Sequence, residues 1–190
     1  MLGIDPGKLE VYKEEGINAR AKIDVPLIIR ISETLYSKLK SGGKLITFGN
    51  GGSAADAQHF AAELSGRFMT ERRPLPAIAL TTNTSSLTAI GNDYSFSEVF
   101  SRQIEGICGP NDFVVGISTS GNSANVVAGL KSAKLVGAFT LALTGKKGGK
   151  AAEIADVSVK VDSDITPIIQ EVHIAVIHMI CLTLDLLMQE

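Results

Sequence analysis

Apolar residues along this chain fall into two kinds of spacing. Residues 8 to 42 have a helical pattern, in which Leu27, Ile31, Leu35 and Leu39 recur every four residues with Ile28 beside the stripe. That spacing lines one face of an α-helix. Asp24 is placed to cap it, and Pro26 falls in the first turn, where its missing N–H is tolerated. Gly42-Gly43 then ends the element. Beyond this point short apolar runs of strand length appear at Leu45–Phe48, Ala77–Leu80, Phe113–Ile117, Ala138–Leu143 and Val157–Val161. Helical stretches, Ala54–Phe68, Ser95–Ile107 and Asn122–Leu135, lie between most of them. Strands alternating with helices predict an α/β domain with a parallel sheet covered on both faces. The last segment, Ile165 to Met188, is predicted helical, and its second half is apolar on nearly every side. Such a helix is expected to be buried, with another subunit favoured over the chain's own core as its cover. Its apolar stretch from Ile174 is broken by His178, Thr183 and Asp185, too short and too polar for a membrane span.

Bulk properties narrow the class. The chain has 190 residues, 45% apolar and 20% charged, a mix and size that suggest one globular domain over residues 1–190. A formal net charge of −2 argues against a broad basic face for nucleic acid. No charged-then-apolar leader opens the sequence, so a cytoplasmic soluble protein is expected. Cys108 and Cys181 read as buried free thiols rather than a disulfide or a metal pair.

Two loops stand out, because ligands of open α/β sheets bind just past the carboxyl ends of strands. Gly49-Asn50-Gly51-Gly52-Ser53 follows the first strand-like run, and Ser118-Thr119-Ser120-Gly121-Asn122-Ser123 follows the third. Each precedes a predicted helix, whose N-terminal amides favour an anion. The second loop adds hydroxyls, which suit a phosphate on a sugar-like ligand. Gly, Asn and Ser also simply make turns; the repetition at two strand-to-helix junctions favours a ligand. "GNGGSA" fits the dinucleotide pattern G-x-G-x-x-A, but the next strand ends Leu80-Thr81-Thr82-Asn83 without the acidic residue that pattern expects. No lysine follows the glycines as in a nucleoside-triphosphate loop. No nucleotide cofactor is therefore expected, and a phosphorylated small molecule remains.

His59 and Glu63 are four apart on the helix that starts at Ser53, and so share a face. Asp56 lies on the same helix. The remaining histidines, His173 and His178, sit in "IQEVHIAVIH". A histidine in an apolar helix is more often a satisfied core residue than a functional one. A carboxylate and an imidazole beside an anion loop can move a proton next to a carbonyl, or begin a metal site completed by other ligands.

The stretches "FGNGGSAADAQHFAAELSGRF", "PAIAL", "IGNDYSFSEVFSRQI", "GISTSGNSANV", "LTGKKGGKAAEIAD" and "IQEVHIAVIH" together resemble the phosphoheptose isomerases of the sugar isomerase (SIS) domain family, from about Gly42 to the C-terminus. The resemblance implies a three-layer, flavodoxin-like or Rossmann-like fold with a five-stranded parallel sheet, N-terminal helices over 1–43 and a long C-terminal helix. It implies a homotetramer with active sites between subunits. It implies conversion of D-sedoheptulose 7-phosphate to D-glycero-D-manno-heptose 7-phosphate through an enediol, toward activated heptose for bacterial surface polysaccharide. By matching motif, Glu63 would be the general base and His178 the general acid on the opposite side. Ser118, Thr119, Ser120 and Ser123 would hold the phosphate. Asn50, Gly51, Gly52, Ser53, Asn92, Asp93 and Gln170 would contact the sugar, with Glu63. Zinc would be held by His59, Glu63, Gln170 and His178.

Helix geometry sits uneasily with part of that ligand set. Gln170 and His178 are eight residues apart on one helix, ~12 Å along its axis and about 80° around it. Glu171 shares a face with His178 more closely. Ile168 stands where many family members have an arginine, while Arg67 in "LSGRF" remains as a cation near the substrate or a helix-terminal charge. Three rivals are weighed: a non-catalytic SIS protein that binds the replication initiator, a sugar-phosphate-sensing regulator, and an isomerase of another sugar phosphate. Glu63 together with His178 speaks against the first. A single-domain length speaks against the second.

Overall fold

A computed structural model of the protein describes residues 5–189. The predicted helix over 8–42 is two helices, α1 (Pro6–Ala21) and α2 (Val25–Lys40). Asp24 separates them: its Oδ1 accepts the N–H of Leu27 at 3.0 Å, the predicted N-cap. The apolar stripe of α2 is buried at Ile28, Ile31, Leu35 and Leu39.

Five strands follow: β1 (Leu45–Gly49), β2 (Ala77–Ala79), β3 (Phe113–Ser118), β4 (Phe139–Gly145) and β5 (Val157–Val161). All pair in parallel, in the order β2-β1-β3-β4-β5. Between and after them run α3 (Gly52–Ser65), α4 (Thr84–Asp93), α5 (Ser101–Ile107), α6 (Ala124–Val136), α7 (Gly149–Ile154) and α8 (Thr166–Leu187), with a 3-10 turn at Phe96–Glu98. The sequence pattern does not announce α4 or α7. The predicted Ser95–Ile107 helix is the 3-10 turn plus α5.

Strand side chains alternate between two cores, as the pleat requires. Leu45, Phe113, Val115, Ile117, Leu141 and Leu143 join residues of α2, α3 and α8 on one face. Ile46, Phe48, Val114 and Ala142 join α5 and α6 on the other. The result is the expected three-layer sandwich. In this strand order the chain reverses its direction of winding between β1 and β3, the place where such sheets bind ligands. The loops after β1 and β3 both lie there.

Among the described residues α8 is the one helix long and apolar enough to cross a membrane. It packs instead on α2, α1 and α3, with Ile168, Val172, Val176, Ile177, Ile180 and Leu184 buried. The chain's own elements bury half of the residues of α8. A strip of Leu182 and Leu186 stays exposed beside Val25 and Ile29 of α2, lining a groove of about 290 Å³. Cys108 and Cys181 are both free; Cys181 is buried and Cys108 half-buried.

Candidate active site

The loop after β1 turns sharply at Gly51, whose φ of 55° and ψ of −121° exclude a side chain without strain. This lets α3 start at once, with its first amides free of any side-chain cap. In the loop after β3, Gly121 has φ 65°. A Cβ there would fall 1.9 Å from the carbonyl oxygen of Gly148, so this loop must pass backbone to backbone beside α7. The Ser118 hydroxyl lies 3.1 Å from that of Ser123 and 3.4 Å from that of Ser120. Ser120 Oγ accepts the Asn122 N–H at 3.1 Å. α6 also begins without a side-chain cap, so hydroxyls and free amides converge. A cavity of about 300 Å³ opens beside them, lined by Thr119, Ser120, Asn122, Lys146 and Lys147 among others.

A reciprocal amide pair joins the two loops. Asn50 and Asn125 each donate to the other's side-chain oxygen at 2.8 Å, and Asn125 Oδ1 also accepts the N–H of Val126. Asn125 is buried. Asn125, unlike Asn50, is not marked by the strand-to-helix loop pattern, although it stands in the same Asn- and Ser-rich run.

The titratable residues gather elsewhere on α3. This helix and α8 run side by side in the same direction. At its first turn, a Cβ on Gly52 would meet Gln170 Nε2 at 2.4 Å, so the Gln170 amide lies directly over the loop glycine. Seven residues on, ~10 Å along the axis, His59 meets His178: their Nε2 atoms are 3.3 Å apart. His59 Nε2 also lies 2.9 Å from Glu63 Oε1. One ligand atom from each of His59, Glu63 and His178 fits within 4.8 Å of the others. Gln170 is a full two helical turns away. The uneasy spacing along α8 thus takes physical form: within the chain Gln170 belongs to the loop and His178 to the carboxylate.

Burial chiefly, and His59 next, hold the His178 imidazole below its ordinary value; Glu63 pulls the other way and Arg20 of α1 adds to the lowering. This lowering favours the neutral imidazole. The ring of Phe68 lies against it, centroid to centroid 5.5 Å. Burial pushes the Asp56 carboxyl up to about 6, against the opposing pull of His59, and its Oδ2 is buried without a hydrogen-bond partner. Glu171, the same-face partner of His178 by sequence, is instead bound to Tyr12 of α1.

The triad's spacing suits a metal. Two ligands held tetrahedrally at ~2.0–2.1 Å from zinc stand roughly 3.4 Å apart, close to the 2.9 and 3.3 Å found. Two nitrogens and a carboxylate oxygen are also donors zinc takes, and three protein ligands leave a position open.

The other sequence-predicted residues fall into place unevenly. Ser53 is buried at the start of α3. Asn92 and Asp93 end α4, exposed and bonded to each other at 2.9 Å, and make no hydrogen bond to the triad or the loops among the described residues. Arg67 is exposed beyond α3; the cation that takes the α3 carbonyls is Arg72.

Residues 19–145 match the family described as "SIS domain". The chain is 62% identical over 174 residues to the "Probable phosphoheptose isomerase" of Thermoplasma acidophilum, covering 92% of this chain and 96% of that one. It is 57% identical over 154 residues to the phosphoheptose isomerase of Aquifex aeolicus, 81% of each. Among solved structures it superposes on the phosphoheptose isomerase of Neisseria gonorrhoeae with a TM-score of 0.88 at 45% identity, covering 95% of this chain and 98% of the other.

Proposed function

As a member of the SIS domain family, and within it of the phosphoheptose isomerases, the chain is an isomerase, and we propose that it interconverts D-sedoheptulose 7-phosphate and D-glycero-D-manno-heptose 7-phosphate. The observation that carries this reading is the convergence of Glu63, His59 and His178 on one point, with a hydroxyl-lined anion loop on the same domain. Such an isomerase needs a base for a carbon-bound proton, an acid for the carbonyl oxygen and a grip on the phosphate.

In the proposed reaction the Glu63 carboxylate takes a proton from C1 of the ketose while His178 gives one to O2. The result is an enediol. Glu63 returns its proton to C2, and the O1 proton passes back to His178, leaving an aldehyde at C1. A neutral imidazole can serve as this proton donor, a pattern known from other isomerases. Zinc held by His59, Glu63 and His178 would polarise the carbonyl oxygen as a Lewis acid, in place of the proton that an uncoordinated His178 gives; Glu63 would keep its second oxygen for the carbon-bound proton. Ser118, Thr119, Ser120 and Ser123 hold the phosphate in this reading. Asn50, kept in place by Asn125, and Gly51, Gly52, Ser53 and Gln170 face the sugar.

The reading also favours an oligomer. Sites shared between subunits of a homotetramer, as the family resemblance implies, would give exposed Asn92 and Asp93 a place beside substrate. The exposed strip of Val25, Ile29, Leu182 and Leu186 offers an apolar face for such contact. A cytoplasmic enzyme supplying activated heptose for surface polysaccharide is the setting the family resemblance supports. Incubating the purified chain with sedoheptulose 7-phosphate, with and without a chelator, tests substrate and metal need together.

A further inference from the structure

Arg72 belongs to none of the motifs above. It lies in the segment between α3 and β2, yet its side chain is only 4% exposed. Nε donates to Asp185 Oδ1 of α8 at 2.8 Å. Nη2 donates to the backbone carbonyl of Glu63 at 2.7 Å, and Nη1 to that of Leu64 at 3.0 Å. The Asp185 side chain is 1% exposed, and its second oxygen accepts the N–H groups of Met69 and Thr70 at 2.9 Å each. Burial alone would raise the Asp185 carboxyl; the Arg72 guanidinium and these amides outweigh it and hold it below its ordinary value.

The last carbonyls of a helix have no partner within it, and α3 has no basic residue in its last turn. Arg72 supplies that cation from beyond the helix. One guanidinium fork therefore ties the peptide group of Glu63 to α8. Asp185 lies seven residues after His178, two turns further along nearly the same face. The buried pair thus fixes the end of α3 that carries Glu63 against the helix that carries His178. A buried ion pair is a weak source of stability, because desolvation offsets its attraction, and fixing register is its best-attested use.

We infer that Arg72, braced by Asp185, is a positioning residue that sets the Glu63 carboxylate relative to His178; this rests on the reading of Glu63 as the base. A lysine keeps the charge beside Asp185 but replaces the planar fork with one compact ammonium, which cannot hold Asp185 and both carbonyls in the same geometry. Displacing a reacting group by ~1 Å is enough to slow turnover about 100-fold, and the phosphate loop lies on a different part of the fold.

The experiment measures kcat and KM for sedoheptulose 7-phosphate in the full-length protein carrying Arg72→Lys. A second variant, Arg72→Met with Asp185→Leu, replaces the pair by apolar groups of similar bulk and guards against loss of fold. Both are compared with wild type at a temperature where circular dichroism shows every sample fully folded. The expected result is a kcat lowered at least ~10-fold with KM within about twofold of wild type. Folded variants with wild-type kcat overturn the inference, as does a loss that appears wholly in KM. Glu63→Gln runs alongside. Wild-type turnover in Glu63→Gln removes the base reading itself; an inactive Glu63→Gln beside a fully active double variant removes only the positioning role of Arg72.

Discussion

Lowering the pH should weaken this fold through one histidine that takes no part in the proposed chemistry. His173 is fully buried in α8. Its Nε2 donates to the carbonyl of Thr144 in β4 at 3.1 Å, and its Nδ1 has no hydrogen-bond partner. Burial drives the imidazole down to about 4 from 6.5, against a smaller opposing effect of the Thr144 bond. The unfolded chain takes up a proton near 6.5, and the folded chain resists until about 4. Between those values the unfolded state binds more protons, so stability is present at neutral pH and is lost as pH falls. The gap corresponds to ~3 kcal/mol when fully expressed, of which about 2 kcal/mol is gone by pH 5. Asp56 acts in the opposite sense. Its carboxyl, raised to about 6 mainly by burial, is protonated in the folded state first, so acidification over that range favours folding. The wild-type slope alone is therefore ambiguous, and a difference isolates His173. In His173→Gln the amide can still donate to Thr144 but cannot titrate. Urea unfolding followed by circular dichroism at pH 7.5 and 5.0, at one fixed protein concentration, gives both stabilities. Wild type should lose about 2 kcal/mol more than His173→Gln over this interval. Equal losses in the two proteins would refute the assignment of His173 as a buried neutral imidazole.

Two further outcomes follow from the loop and the apolar strip. Ser120→Ala removes a hydroxyl from the proposed phosphate site; since a hydrogen bond to a charged group is worth ~1.5–3 kcal/mol, steady-state kinetics should show KM raised at least ~10-fold with kcat little changed, and a fall in kcat alone would count against the phosphate role. Leu186 is 56% exposed on the strip beside α2; Leu186→Asp should split the proposed oligomer into smaller species by light scattering, and an unchanged mass would count against this strip as the subunit contact.

Much of the fold is legible in local pattern. The four-residue stripe of α2 and its Asp24 cap read directly, because both are signals within one element. The strand-length runs read for the same reason: parallel strands buried on both faces are continuous and apolar, as Phe113–Ser118 is. The α4 helix escaped notice because it buries no residue of its own and opens on Thr84-Ser85-Ser86, which reads as loop. Nothing in an apolar α8 says how its cover divides between the chain's own sheet and another subunit. In the site, the His59–Glu63 pair is visible from spacing alone. The approach of His178 is not, because it depends on the parallel packing of two helices whose contacting histidines lie 119 residues apart. The Asn50–Asn125 pair and the Arg72–Asp185 brace have the same character. Each joins distant segments, and neither partner stands in a recognisable local pattern with the other.

In the proposed reaction Glu63 moves a proton between C1 and C2 of a heptulose phosphate. Proton NMR of sedoheptulose 7-phosphate incubated with wild type and with Glu63→Gln tests it most directly, each with and without a chelator and with zinc restored. The aldose phosphate should appear with wild type, and at a rate lower by a factor of roughly 10²–10⁴ with Glu63→Gln, while circular dichroism and molecular mass stay the same. Wild-type turnover by folded Glu63→Gln, or a heptulose phosphate left untouched by the wild-type enzyme with zinc restored, would contradict it.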